Sequence, residues 1–271
     1  MIKKIHYCWL GSELPEAVKK QVTQWKALCP EFEFREWNDR NINITDYQSV
    51  SYWNRVYHEK RWGFASDIIS FAKVYEEGGF YMDCDVTLLK PLNEIPAPPD
   101  HLLMGYMYDG VISGGFFYAP PKHPIIKRIL EYYSDISDGF YVTNNTIMTQ
   151  CINNNIPEIL MNGSYFSSEK YKLTIFPKEY FCQPSFMKNK SFALDLFAGS
   201  WKDASKGRFV MQQECKSWYK ILRRKVSCLR SIFKNEFRYM FLMALLRKKV
   251  KCKEYWRRCF GLKGGALPFQ S

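Results

Sequence analysis

Three observations predict an α/β fold. Strand-like and helix-like patterns alternate over the first two hundred residues, the order expected of a sheet crossed by helices. No segment repeats along the chain. Between Trp62 and Val86 a helix pattern, a glycine pair and an apolar strand succeed one another without a break, which reads as the second half of a βαβ unit.

Lys3 to Trp9 is a buried strand closed by Gly11. Pro15 opens a helix with Val18, Val22 and Trp25 on one face, ending before Pro30. Phe32 and Phe34 alternate with Glu31, Glu33 and Arg35, a half-exposed strand leading to Trp37-Asn38-Asp39. Residues 40–61 are polar and aromatic, without a clear period. Phe64, Ile68, Phe71, Ala72 and Tyr75 mark a helix with one buried stripe. Gly78-Gly79 stops it, because glycine suits the left-handed position after a helix. A proline-rich connector covers 91–99. Leu102–Tyr108 and Val111–Tyr118 read as strands around Gly114-Gly115, Pro124–Tyr133 and 144–152 as helices, and Thr174–Pro177 and Phe192–Phe197 as late strands.

The strand after the glycine pair runs into Asp83-Cys84-Asp85. On an extended strand, side chains two apart share a face, roughly 6.5 Å from each other. At an effective dielectric near 20 two such charges repel by about 2.5 kcal/mol. A sheltered pair therefore needs a cation or a raised pKa. At the carboxyl end of a sheet strand it suits a divalent metal carrying a phosphorylated ligand. A solvated turn with two acids is the plainer alternative. Cys84 should point the other way and serve packing.

With 46% apolar and 17% aromatic residues in 271, the chain can bury a sizeable core. No stretch nears the roughly 20 apolar residues of a membrane-spanning helix, and the N-terminus lacks the pattern of a secretory signal. Nine cysteines without a C-x-x-C pair read as reduced thiols in a cytoplasmic protein. The net charge of +12 is uneven: Lys216 to Lys263 holds sixteen Lys or Arg against Glu236 and Glu254. The rest of the chain is nearly neutral, so charge divides it into residues 1–205 and a basic tail, 206–271. Trp218, Ile221, Leu222, Val226, Leu229, Ile232 and Phe233 form a stripe at helical spacing, with basic residues largely off it. Such a helix suits an anionic membrane surface, each basic group contributing about 1 kcal/mol. An appendage packed on the domain is the alternative.

Ile5-His6-Tyr7-Cys8-Trp9-Leu10-Gly11, Glu36-Trp37-Asn38, Ser66-Asp67, Gly78 to Val86 with Lys90-Pro91-Leu92, and Phe197-Ala198-Gly199-Ser200-Trp201 occur in that order. Over about residues 2–205 the chain resembles the glycosyltransferases with a DXD sugar-binding region (family 32). Its members include yeast-type mannosyltransferases and bacterial capsule or lipopolysaccharide sugar transferases. The resemblance implies a GT-A fold, Rossmann-like, a UDP- or GDP-sugar donor, Mn²⁺ or Mg²⁺, and retention at the anomeric carbon. It implies that Trp9 stacks on the nucleobase, though a core aromatic would look the same. Asp67 would hold donor sugar hydroxyls from the first turn of its helix, where a carboxylate also suits the helix dipole. Asp83 would hold ribose or sugar hydroxyls, Asp85 the metal bridging the diphosphate, and Ser200 and Trp201 the diphosphate itself.

Two departures stand out. The family's arginine three residues after Asp67 is Ser70 here, with Lys73 one turn on. Its histidines before Ala198-Gly199-Ser200-Trp201 are Asp195 and Leu196. Asp195 can bind a hard cation; Leu196 cannot. Acceptor contacts at Gly114-Gly115, His123 and Asn144-Asn145 also have ordinary turn or capping explanations.

The expected function is therefore metal-dependent, retaining transfer of a hexose to a glycan or lipid-linked acceptor in cell-surface polysaccharide synthesis. Asp67, Asp83 and Asp85 would carry catalysis, and Asp83, Asp85 and Asp195 the metal. The tail would attach the protein to the inner face of the cell membrane. A catalytically silent scaffold is the first alternative. A nucleic-acid binder is the second, disfavoured because the charge lies outside the folded part, so no nucleic-acid partner is expected.

Overall fold

The computed structural model describes residues 1–43, 51–108, 110–136, 141–183 and 191–196. Ser200, Trp201 and the tail 206–271 lie outside them. Strands are β1 (Lys4–Cys8), β2 (Glu33–Trp37), β3 (Gly79–Met82), β4 (Val86–Leu88), β5 (Leu102–Tyr108), β6 (Val111–Ala119), β7 (Phe166–Ser168), β8 (Leu173–Phe176) and β9 (Ala193–Asp195). Helices are α1 (Glu16–Leu28), α2 (Ser51–His58), α3 (Trp62–Glu77), α4 (Pro124–Ser134), α5 (Asn144–Asn155) and α6 (Lys178–Phe181). The α/β class expected from the sequence is the one observed.

Seven strands form one sheet in the order β2-β1-β3-β6-β5-β8-β7, and β4 pairs with β9 apart from it. β1 lies parallel to both β2 and β3, whereas β6 is antiparallel to β3 and β5. The central strands of the sheet are buried on both faces. One face packs Ile68, Phe71 and Val74 of α3 with Ile126 of α4 and Met148 of α5. The other packs Val18, Val22 and Trp25 of α1 with Phe181 of α6. β3 shows the alternation: Tyr81 joins the first cluster, Phe80 and Met82 the second.

α2 is an element that the sequence pattern concealed. It has only two turns, and Tyr52, Trp53 and Val56 are its buried residues, too short a run to show a period. Among the described residues no helix is long and apolar enough to cross a membrane. Cys8, Cys29, Cys84 and Cys151 are buried free thiols, and Cys182 is buried.

Candidate functional site

β1 and β3 run parallel and end at the same edge of the sheet, with Ile5 opposite Phe80 and His6 opposite Tyr81. The chain reaches β2 on one side of β1 and β3 on the other. That reversal is the switch point at which open α/β sheets bind ligands. Trp9 comes directly after β1 and Asp83 directly after β3, so both stand there.

The acid pair is carried by a turn and not by the strand alternation that its spacing suggests. The Val86 amide donates to the Asp83 carbonyl at 2.9 Å, closing Asp83-Cys84-Asp85-Val86. The cause lies in the bonds made by β4, immediately beyond the turn. The Trp25 indole and the Gln21 amide of α1 both donate to the Val86 carbonyl at 2.9 Å, and Gln24 donates to the Leu88 carbonyl at 3.1 Å. These bonds draw β4 out of the large sheet and onto α1. Cys84 is buried, its thiol 3.5 Å from the Cys8 carbonyl, the packing role expected of it. Asp83 continues the side of Tyr81, whose hydroxyl donates to its Oδ1 at 3.0 Å.

β9 brings Asp195 to this turn. Asp195 is the register partner of Val86, and the Leu196 amide donates to the Asp85 carbonyl at 3.0 Å. Gly115 of β6 shows where the carboxylates point. A Cβ added there would lie 3.0 Å from Asp83 Oδ2 and 3.5 Å from Asp195 Oδ2. The missing side chain leaves a cradle shared by both acids.

Asp67 sits in the second turn of α3, not the first, because that helix already begins at Trp62. The helix dipole therefore does not account for it. Its oxygens accept from Asn144, Oδ2 from the backbone amide at 3.3 Å and Oδ1 from the side-chain Nδ2 at 2.8 Å. Asn144 Oδ1 accepts in turn from the Asn145 amide at 2.7 Å, and Asn145 Oδ1 from the Gly114 amide at 2.6 Å. A Cβ at Gly114 would come within 2.2 Å of Asn144 Nδ2. The β5–β6 register shifts between Met104 and Tyr106. Such an irregularity can re-aim side chains. Here it sets adjacent glycines against two parts of one site.

Burial raises the Asp83 pKa to about 7, the Asp85 charge adding to it and the Tyr81 hydroxyl opposing it. Burial, then the Asp83 charge, holds Asp67 well above the usual carboxylate range, against the Asn144 amide. Three aspartates thus crowd one end of the sheet.

Trp9, the other expected residue at this edge, is partly buried against the α1 face, and its indole donates to Ser12 Oγ at 3.0 Å. The loop beyond it is held by the Gly11 amide bonded to Asp39 at 2.7 Å. Ser70 is fully buried and donates to the Asp67 carbonyl at 2.6 Å. Lys73 bonds Glu76 at 2.9 Å and lies over the Trp37 ring at 4.9 Å. His123 caps α4, accepting from the Ile125 amide, which is the ordinary explanation weighed for it.

Hard oxygen donors around an open cradle fit Mn²⁺ or Mg²⁺, and a cation would relieve the crowding that raises Asp83. Among the described residues, no group of three or more His, Cys, Asp or Glu side chains is placed to hold a metal ion. Asp83, Asp85 and Asp195 are therefore not assembled as a closed set.

Residues 15–101 match the family described as "Glycosyltransferase sugar-binding region containing DXD motif". This segment is a DXD glycosyltransferase sugar-binding region. It contains Asp67, Asp83 and Asp85 and excludes Trp9 and Asp195. Inositol phosphoceramide mannosyltransferase 1 of Schizosaccharomyces pombe is 24% identical over 147 residues, 53% of this chain and 46% of that protein. Subversion of eukaryotic traffic protein A of Legionella pneumophila is 27% identical over 126 residues, 37% of this chain and 20% of that protein. The chain therefore spans less than half the length of these two relatives. The solved PaToxG glycosyltransferase aligns with a TM-score of 0.47 at 19% identity, covering 57% of this chain and 69% of that one. A glycosyltransferase involved in glycosylation of the major capsid of PBCV-1 aligns with a TM-score of 0.43 at 11% identity, covering 73% and 94%.

Proposed function

We propose that the protein transfers a hexose from a nucleotide sugar to a hydroxyl of a glycan or lipid-linked acceptor, with retention at the anomeric carbon. The observation that carries the reading is the acid cluster at the switch point: Asp83 of the sugar-binding region and Asp195 of β9 share the Gly115 cradle, beside Asp85 and the Asn144-held Asp67. Asp85, with Asp83 and Asp195, would hold Mn²⁺ or Mg²⁺. When bound, that ion offsets the charge left on a departing diphosphate. Asp67 and Asp83 orient hydroxyls of the donor, and Asp83, ionised when a cation is bound, favours positive charge developing on the sugar ring. Trp9 stands at the end of β1, where a base can stack. Ser200 and Trp201 are assigned to the diphosphate. The mannosyltransferase named among the relatives supports a lipid-linked acceptor.

The test is nucleotide release from a panel of UDP-, GDP- and CMP-sugars with Mn²⁺. Asp85→Asn should abolish the metal-dependent part. Full manganese-dependent turnover in that variant would falsify the metal assignment.

The division at about residue 205, the membrane-surface role of 206–271, a cytoplasmic location and a part in capsule or lipopolysaccharide synthesis belong to the same proposal. A chain ending at residue 205 should keep nucleotide binding and lose affinity for anionic vesicles.

A second reading, a binding protein without turnover, is favoured by Ser70, whose hydroxyl turns back onto its own helix at the position where the resemblance places an arginine. Calorimetry that shows nucleotide-sugar binding, with neither hydrolysis nor transfer, would select it.

A further inference from the structure

One turn of α3 from Asp67 lies a cluster that the donor site does not use. Tyr141 is a large apolar-bodied residue left exposed, at 43%. Two guanidinium groups lie over its ring, Arg55 at 5.4 Å and Arg61 at 5.2 Å. Phe64 packs on the same ring, centroids 5.5 Å apart at 37°. The Tyr141 hydroxyl donates to Glu59, the carboxylate of the cluster.

The cluster is fixed in place from both sides. The Tyr52 hydroxyl donates to the Val142 carbonyl at 3.2 Å and accepts from its amide at 3.3 Å. Three residues after Tyr141, Asn144 grips Asp67. Phe64 stands three residues before Asp67 and Arg61 six, about 4.5 and 9 Å along the helix axis. A guanidinium can offer its N–H edge in a forked bond to phosphate oxygens. Arg61 is exposed, with an edge available to a ligand.

We propose that Arg61, with Tyr141 beside it, forms an anion subsite for the acceptor, taking a phosphate carried about two sugars' length from the hydroxyl that is glycosylated. The inference rests on Asp67 marking the donor sugar, as in the proposed function. The phosphate's source is either a soluble sugar phosphate or a phospholipid headgroup, and both present the same oxygens to Arg61.

The experiment uses the full chain saturated with Mn²⁺ and UDP or GDP, whichever binds, so that the donor's diphosphate site is filled. Failure of both nucleotides to bind counts against the donor reading alone, and the phosphate titration is then run on the chain without nucleotide. Calorimetric titration with inorganic phosphate should show one further site. Arg61→Gln should weaken it about tenfold, the effect of losing a charge-assisted bond, with Arg61→Lys between the two. Glu59→Gln should tighten it, a gain that misfolding does not produce. Competition by glucose 6-phosphate identifies a soluble source, and competition by phosphatidylglycerol vesicles a lipid one; either supports the subsite. No phosphate binding in the parent chain, or equal affinity in parent, Arg61→Gln and Glu59→Gln, overturns it.

Discussion

Asn144 holds both oxygens of Asp67, one from its backbone amide at 3.3 Å and one from its side-chain amide at 2.8 Å. The pair joins α5 to α3 across 77 residues of sequence and fixes the direction in which a half-buried carboxylate faces. A hydrogen bond contributes about 0.5–1.5 kcal/mol net. Asn144→Ala should therefore slow donor hydrolysis about two- to tenfold, and it should lower stability by about 1 kcal/mol. Steady-state nucleotide release and thermal melting check it; an unchanged rate would show that Asp67 needs no support.

Gly114→Ala and Gly115→Ala should separate two functions. The first puts a methyl group 2.2 Å from Asn144 Nδ2 and pushes the clamp from Asp67. The second puts one 3.0 Å from Asp83 Oδ2. Overpacking of this kind costs about 1–3 kcal/mol. Gly114→Ala should lower the rate with manganese affinity retained, and Gly115→Ala should weaken manganese binding, read by electron paramagnetic resonance. The reverse pattern would refute the division.

Trp25 is fully buried and its indole bonds the Val86 carbonyl at 2.9 Å. Trp25→Phe keeps most of the packing and leaves Gln21 as partner of that carbonyl. A loss of about 1 kcal/mol is expected, against about 3–5 kcal/mol for Trp25→Ala. Urea unfolding curves measure both.

Acidification should pull stability in two directions: Asp67 and Asp83, raised above their ordinary values, gain it as pH falls through their folded pKa values, while His6 and His123 lose it. His6 Nδ1 accepts from the Trp37 indole at 3.1 Å, so the ring's proton sits on Nε2, 2.9 Å from the Gly78 carbonyl. A second proton would meet an N–H donor. Burial lowers the pKa of His6 and of His123 below the ordinary 6.5. Both stay neutral in the fold and charge in the unfolded chain. Their contribution is complete above pH 6.5 and is lost as pH falls towards their folded pKa values, by up to about 1.4 kcal/mol per pH unit for each. Urea midpoints of the parent and His6→Phe at about pH 7.5 and 5.5, on either side of the ordinary histidine pKa, isolate the histidine part: the stability of His6→Phe relative to the parent should rise on acidification, and a relative stability that is constant or falls refutes it.

Much of this fold could be read in advance because its long elements carry their own periods. α3 has a helical period and ends at a glycine pair, although it buries the unbroken run Ile68 to Val74 and not the single stripe expected, and β3 is apolar on both faces. The site was legible only in its residue types. Asp83 and Asp85 looked like strand neighbours because spacing alone does not reveal that α1 side chains capture Val86. The Asp67 clamp pairs groups 77 positions apart, and no local pattern records such a contact. A glycine pair inside an otherwise bulky strand was the one advance signal, since such a position often marks a close approach.

The pairing of β4 with β9 has a consequence for how the protein comes into being. Val86 meets Asp195 only after more than a hundred further residues have been synthesised, and closing so long a loop is entropically costly and slow. A nascent chain can bury most of its sheet before that strand emerges. Competence for ligand therefore arrives near the end of folding, and a polypeptide stopped before residue 193 would be compact yet lack one wall of its acidic cradle.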